Sequence, residues 1–313
     1  MSMLQPLKQR LSASAKYLAR RHSATARLSA LMGKCLPELT CVDVGASYYP
    51  HPKWRLLLES PATQWIAVEP NVANISYTEK WEWPCQVSAV TTGLSLTGGR
   101  QTLYVTNVDS GSSLLEPRIP ESQSHRFLNR DYFFPVRERS IETLTLLDVL
   151  KSRRETMPVF VKLDTQGTEL SILTGAEPAL AKRQIVGIEL ESTLLAQPVM
   201  QGAGKFWEAC RYLEAFGFEL LDIKVIRGPS RQAQSRPRAN TFLNECDAVF
   251  ALRRDVAKDL PVEYRSALLA FYLCNKLFDE SHDLLEQDFE MRSALRAHGC
   301  DIDRLASLID KFS

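Results

Sequence analysis

From Leu39 onward, short apolar runs rich in Val and Ile alternate with stretches of helical period, and this alternation leaves few ways to fold. A run such as 159–163 is apolar at nearly every position, so both of its faces must be covered, the condition of a parallel strand flanked by helices. Seven runs qualify: 40–44, 65–68, 85–90, 159–163, 185–190, 218–226 and 246–252. The last two lie close together across a polar segment without helical period, so they are expected to pair as an antiparallel hairpin that ends the sheet. The expected fold class is α/β, a Rossmann-like, seven-stranded and mostly parallel sheet with a terminal antiparallel hairpin.

Two stretches break the rhythm. Residues 107–140 are long, polar and punctuated by proline, and read as a loop that covers a site. Residues 224–244 carry Lys224, Arg227, Arg231, Arg236 and Arg238, and read as a basic loop at the sheet edge. Beyond Arg254 the period is helical only, with helices expected over 263–278, 283–298 and 301–312, Gly299 ending one and Asp301 capping the next. The chain thus divides into an amino-terminal arm (1–37), an α/β domain (38–254) and a helical annex (255–313), the annex offering packing surface or a homodimer contact.

Charge is unevenly spread. The net charge is +1, which excludes a generally basic nucleic-acid binder, and no specific nucleic-acid partner is expected. Residues 1–37 nevertheless hold seven cations and no acid, leaving the remainder with six more acids than cations. Leu4, Leu7, Leu11, Ala15 and Leu18 recur at spacings of three and four, so residues 5–32 read as a basic amphipathic helix. It suits packing on the domain, contact with an anionic membrane face, or a mitochondrial transit peptide. Seven scattered cysteines without a CxxC pair point to a reducing compartment, and no apolar run reaches membrane-spanning length. The expected location is cytoplasmic, with peripheral contact at the inner membrane face through residues 1–37 as an option.

The chemistry concentrates at strand ends. The first strand runs out as Asp43-Val44-Gly45-Ala46-Ser47, a carboxylate followed by a glycine turn where a nucleotide-like ligand approaches backbone. The second ends at Glu69-Pro70, 26 residues after Asp43, where a doubly wound sheet presents an acid to both hydroxyls of a ribose. A pyrophosphate needs further glycines, but Ser47, Tyr48, Tyr49, Pro50, His51 and Pro52 follow Gly45. A ligand with ribose and adenine but no phosphate, S-adenosylmethionine, fits this turn better. Ser88 and Ala89, small residues of the third strand, are placed to border the adenine. The sharpest string is Lys162-Leu163-Asp164-Thr165-Gln166-Gly167-Thr168-Glu169, a strand that emerges at a carboxylate and turns into a helix.

In order, DVGAS, AVEP, VSAV, SGSSLLEP, KLDTQGTELSILTGAE, IELE and ECDAVFALR resemble the FkbM-type S-adenosylmethionine-dependent methyltransferases over residues 39–253. The resemblance implies a class I methyltransferase fold, cofactor contacts at Asp43, Gly45, Ala46 and Glu69, and O-methylation of sugars, polyketides or related hydroxyl compounds. Two departures stand out. Many members carry Glu where this chain has Gln166, which removes a candidate base and leaves Asp164 and Glu169; many carry a further glycine where it has Tyr48 or Tyr49.

Methyl transfer to a weakly acidic hydroxyl needs an aligned acceptor and a group that takes its proton. Asp164 is the expected base, Lys162 the cation that stabilises developing charge or pairs with a carboxylate. Glu189 and Glu191 close the fifth strand and are expected on alternating faces, one of them entering the site. His125 lies in the long loop and reads as a loop histidine. No metal site is expected, because the five histidines are dispersed. The expected activity is S-adenosylmethionine-dependent O-methylation of a saccharide or glycoconjugate hydroxyl, a polysaccharide modification. The rivals are a non-catalytic scaffold whose Tyr48 and Tyr49 fill the pocket, and a membrane-surface enzyme with a lipid-linked acceptor.

Overall fold

The structure, a computed structural model, describes residues 24–118, 133–153, 156–228 and 242–312. Its strands are β1 (Leu39–Val44), β2 (Thr63–Val68), β3 (Gln86–Val90), β4 (Gly93–Leu94), β5 (Gly99–Thr106), β6 (Pro135–Leu144), β7 (Val159–Leu163), β8 (Ile185–Thr193), β9 (Phe218–Gly228) and β10 (Phe242–Leu252). The helices of seven residues or more are α1 (Ala24–Met32), α2 (Glu169–Gly175), α3 (Phe206–Glu214), α4 (Val262–Cys274), α5 (Phe278–Gln287), α6 (Phe289–Ala297) and α7 (Ile302–Ile309).

Seven strands form one sheet in the order β3-β2-β1-β7-β8-β10-β9. All pairings are parallel except those of β10, which runs antiparallel to both β8 and β9. The expected seven runs are all present, and the hairpin closes the sheet with its second strand inserted inside the first. All six residues of β1 are buried, as continuous apolar strands covered on both faces must be. The chain proceeds outward from β1 to β3 and returns to β7 on the other side of β1. Such a reversal opens a crevice at the carboxyl ends of the two strands. Asp43 of β1 sits beside Lys162 of β7 there, and Lys162 beside Glu189 of β8.

A second sheet, β4-β6-β5, lies apart from the first. It corrects the reading of 107–140 as a loop throughout, since residues 135–140 belong to β6 and pair antiparallel with β5. The reason is that β6 is exposed on both faces over most of its length, so it carries no apolar alternation to betray it. His125 lies outside the described residues. The basic loop is shorter than expected, because β9 extends to Gly228 and β10 starts at Phe242; Arg231, Arg236 and Arg238 are also outside the described residues.

The ends of the chain join the central core. Of the expected arm helix, residues 5–23 fall outside the described residues, while α1 buries Leu28 and Met32. The annex is equally integral. Residues 266–274 of α4 are all buried, and the Phe271 ring lies against Phe160 at 5.1 Å and Trp54 at 6.1 Å. That ring occupies the space left by the missing side chain of Gly187 on β8, where an added Cβ would lie 2.5 Å from a ring carbon. The helix expected over 283–298 is broken at Asp288, whose carboxylate accepts the Met291 N–H and starts α6. Gly299, with φ of 87°, and Asp301, which accepts the Arg304 N–H, act as expected. All seven cysteines are free thiols, and no helix among the described residues is long and apolar enough to cross a membrane.

Because the Phe271 ring fills a fully enclosed space, Phe271→Ala should cost about 3–5 kcal/mol in urea unfolding, and Gly187→Ala, which overpacks the same contact, about 1–3 kcal/mol. Unfolding free energies unchanged within error in both variants would show that the annex is not part of the core.

Candidate active site

The crevice between β1 and β7 is drawn tight by Gly45. Its φ is +78°, and a Cβ there would fall 1.9 Å from the Asp164 carbonyl oxygen, so only glycine lets the two strand ends meet. Asp164 N–H donates to the Val44 carbonyl at 3.0 Å, closing the junction. Beneath it, Lys162 Nζ lies 3.1 Å from Asp43 Oδ1 and 3.7 Å from Asp164 Oδ2. Burial works against the ammonium charge, but Asp43, Asp164 and Glu189 together outweigh it and hold the Lys162 pKa well above its ordinary value. Glu189 is ion-paired with Lys53, which also donates to Asn275 Oδ1 at 3.0 Å beyond the end of α4. The annex therefore reaches the site.

The glycine turn offers little to a phosphate. Gly45 and Ala46 N–H both donate to the Val68 carbonyl, Ser47 N–H to that of Gly45, and Tyr48 N–H to that of Asn74. Anion nests need free amides converging on the ligand, and these four are occupied. Glu69, in contrast, has acceptor capacity to spare. It takes the Asn71 N–H at 2.8 Å on Oε1 and the Ser47 hydroxyl at 2.9 Å on Oε2. A carboxylate has about four acceptor positions, so two remain, and Glu69 lines the cleft together with Pro70. Burial raises the Glu69 pKa, partly offset by those two donors. Asn71 and Asn74 both donate to Asp109 Oδ2, at 2.8 and 2.6 Å, tying the loop after β5 to the same wall.

The cleft encloses about 1270 Å³ and is lined by Asp43, Gly45, Ala46, Ser47, Glu69, Pro70, Lys162, Asp164 and Glu189, so the structure brings these expected residues together. Ser88 and Ala89 do not join them. Both are exposed on β3, an edge strand, and the cleft wall falls a few residues later, at Thr92, Gly93 and Leu94. Tyr48 and Tyr49 line the mouth but are 59% and 70% exposed, so their rings do not plug it.

Strand parity corrects another expectation. Glu189 and Glu191 are two residues apart on β8 and so share a face; both line the cleft. Glu169, kept as an alternative base, is buried and consumed by its own turn. It accepts the Thr165 N–H at 2.7 Å, the Thr165 hydroxyl at 3.0 Å and the Gly167 N–H at 2.9 Å. Gln166, in the left-handed region with φ of 58°, points its amide at two carboxylates, donating to Asp164 Oδ1 at 3.3 Å and Glu191 Oε2 at 2.5 Å. A glutamate here would have no proton to donate when ionised, so Gln166 suits this acid pair. Burial, and then the neighbouring Asp164, raise the Glu191 pKa.

Sequence reading missed Lys53, Asn71, Asp109, Glu191's shared face and Asn275. The parity of Glu191 was available in the spacing. The others meet the site through pairings far apart in the chain, for which no local pattern exists. Among the described residues, no three His, Cys, Asp or Glu side chains group to hold a metal ion.

No curated protein matches the chain. Among solved structures, it is similar to precorrin-6y C5,15-methyltransferase from Geobacter metallireducens (11% identity, 72% of this chain and 87% of that one, TM-score 0.33). It is also similar to a DUF574 family protein from Streptomyces avermitilis (10%, 75% and 83%, TM-score 0.36) and to the 16S rRNA methylase ArmA (12%, 75% and 84%, TM-score 0.30). Likenesses this distant carry no argument about an acceptor. The profile of the methyltransferase FkbM domain matches residues 43–220, from the Asp43 strand end into β9. With more than half of its length matched, this protein belongs to the FkbM family of S-adenosylmethionine-dependent methyltransferases.

Proposed function

We propose that the protein methylates a hydroxyl of a saccharide or glycoconjugate, with Asp164 taking the hydroxyl proton. The observation that carries this reading is the state of the five carboxylates around Lys162 and Gln166. Asp43 is buried against Lys162, Glu169 is spent in its turn, Glu189 is paired with Lys53, and Glu191 is half-buried with a raised pKa. Asp164 alone among them presents a substantially open carboxylate, its side chain 43% exposed at the cleft floor. A sugar hydroxyl is a very weak acid, so a positioned carboxylate supplies the proton sink. Lys162 stays protonated beside it and steadies the negative charge that develops on the attacking oxygen. The Gln166 amide fixes the Asp164 carboxylate, which limits the orientations it samples.

The residues present fit S-adenosylmethionine. When bound, it supplies a methyl group on a sulfonium sulfur. Glu69 has two acceptor positions free for ribose hydroxyls, and the occupied amides of the glycine turn suit a nucleoside without phosphates. Glu69, Ala46, Ser47 and Pro70 would hold it, with Asp43 fixed beneath by Lys162. Beyond Asp164 the cleft continues past Asp222, Lys224 and Asp247, polar groups that suit a polyhydroxyl acceptor.

Three outcomes test the reading. Wild-type protein should bind S-adenosylmethionine in calorimetry, and Glu69→Ala should weaken that binding by about 1.5–3 kcal/mol through the lost charged hydrogen bonds; absence of wild-type binding sinks the proposal. Asp164→Asn should keep cofactor affinity while turnover falls by roughly 10²–10⁴, and unchanged turnover would assign the base to another group. The third concerns pH. A carboxyl with a raised folded pKa keeps a proton that the unfolded chain releases in the ordinary carboxylate range. Its contribution to stability is therefore complete at low pH and declines as pH rises toward the folded value. Between about pH 5 and pH 8, melting temperature should fall less in Glu191→Gln than in wild type; parallel pH profiles would show that Glu191 is ionised in the fold.

A further inference from the structure

Most cations lining the cleft have a carboxylate partner. Lys162 pairs with Asp43 and Asp164, Lys53 with Glu189, Lys224 with Asp247 at 3.0 Å, and Arg55 with Glu59. Lys276, just past the end of α4, and Arg137 and Arg139 of β6 line the cleft as well without an ion-pair partner among the described residues, and the two arginines stand together on one strand.

Their placement follows from strand register. On β6 they are two residues apart and so share a face, opposite Val105 and Leu103 of β5 respectively, both of which also line the cleft. Farther along that face Ile141 packs at β4, 3.2 Å from where a Gly93 Cβ would lie. The face is thus apolar at its base and doubly cationic toward the opening, with Leu103 and Val105 available to the aliphatic stems of the arginines. The wall is also fixed to the catalytic turn. Tyr104, between Leu103 and Val105, exchanges two backbone hydrogen bonds with Ser113, at 2.8 and 3.2 Å, and the Ser113 hydroxyl donates to the Gln166 carbonyl at 2.9 Å. Two like charges on neighbouring same-face positions repel each other unless an anion or solvent lies between them. Here they line the same cleft as Asp164, the carboxylate proposed as base.

We propose that Arg137 and Arg139 form a subsite for an oxyanion carried by the acceptor, a carboxylate or a phosphoryl group on the sugar. This rests on the saccharide reading of the cleft. Guanidinium groups match both oxyanions through paired hydrogen bonds, and the two sites set the end of the acceptor opposite the reacting hydroxyl. Lys224, the first cation of the stretch read from the sequence as a basic loop, lies in β9 and also lines the cleft, but it is already paired with Asp247.

The test uses the full chain saturated with S-adenosylmethionine and three probes, glucuronic acid, glucose 6-phosphate and glucose, in calorimetry and in methyl-transfer assays. At least one charged sugar should bind about tenfold or more tightly than glucose. The Arg137→Gln/Arg139→Gln double variant should lose that advantage. Arg100→Gln, on the opposite face of β5 and paired with Glu142, should keep it. The preferred probe distinguishes carboxylate from phosphoryl recognition. Equal binding of all three sugars, or an advantage that survives in the double variant, overturns the subsite. If glucose is methylated as readily as the charged sugars, the subsite falls and the saccharide reading stands. If cofactor binds but no sugar is bound or methylated, the saccharide reading falls and takes the subsite with it.

Discussion

The site depends on one buried lysine. Lys162 lies between Asp43, which ends β1, and Asp164, which leaves β7, and its ammonium is the charge that lets both carboxylates sit at the junction of the two strands. Buried ions lose hydration that their mutual attraction only partly restores, so such a cluster is weak as a device for stability. It is better understood as a device for position. The Gly45 turn brings backbone against the Asp164 carbonyl, and Lys162 fixes the side chains on either side of that contact. Removing Lys162 would leave the buried Asp43 carboxylate without its cation.

Around this centre, hydrogen-bond capacity is distributed unequally. The amides of the glycine turn are all spent within the protein, whereas Glu69 keeps acceptor positions open. That wall therefore offers acceptor capacity at Glu69, while the four turn amides are occupied. A similar contrast separates the carboxylates near the turn: Glu169 is satisfied by three donors, Glu191 has its pKa raised by desolvation and by the neighbouring Asp164, and Asp164 is left open. Environment, more than residue type, assigns the roles, as it does wherever neighbouring acids must differ in protonation.

How far the sequence could be read depended on how each segment is buried. The strands of the central sheet were legible because burial on both faces demands apolar runs, and the strand ends then located Asp43, Glu69 and Asp164. β6 was not, because neither face is buried over most of its length and its sequence shows no apolar alternation. Ser88 and Ala89 were assigned to the cleft from the expected position of the third strand, but that strand is at the edge and its small residues face out. The annex was legible as helices, but nothing in its period announced that Phe271 would fill the space at Gly187 or that Asn275 would meet Lys53.

What the sequence determined by itself is the class of fold, the family, and the carboxylates at the strand ends, since these follow from local periodicity and from short strings read in place. What only the tertiary structure decided is which charges meet. The pairing of Lys53 with Glu189 and the Gln166 amide between Asp164 and Glu191 each join segments that no local pattern links. The physical reason is range. Periodicity reports whether a residue is buried, and burial can be satisfied by many neighbours, but an ion pair or hydrogen bond exists only between particular atoms brought within about 3 Å by the order of the strands.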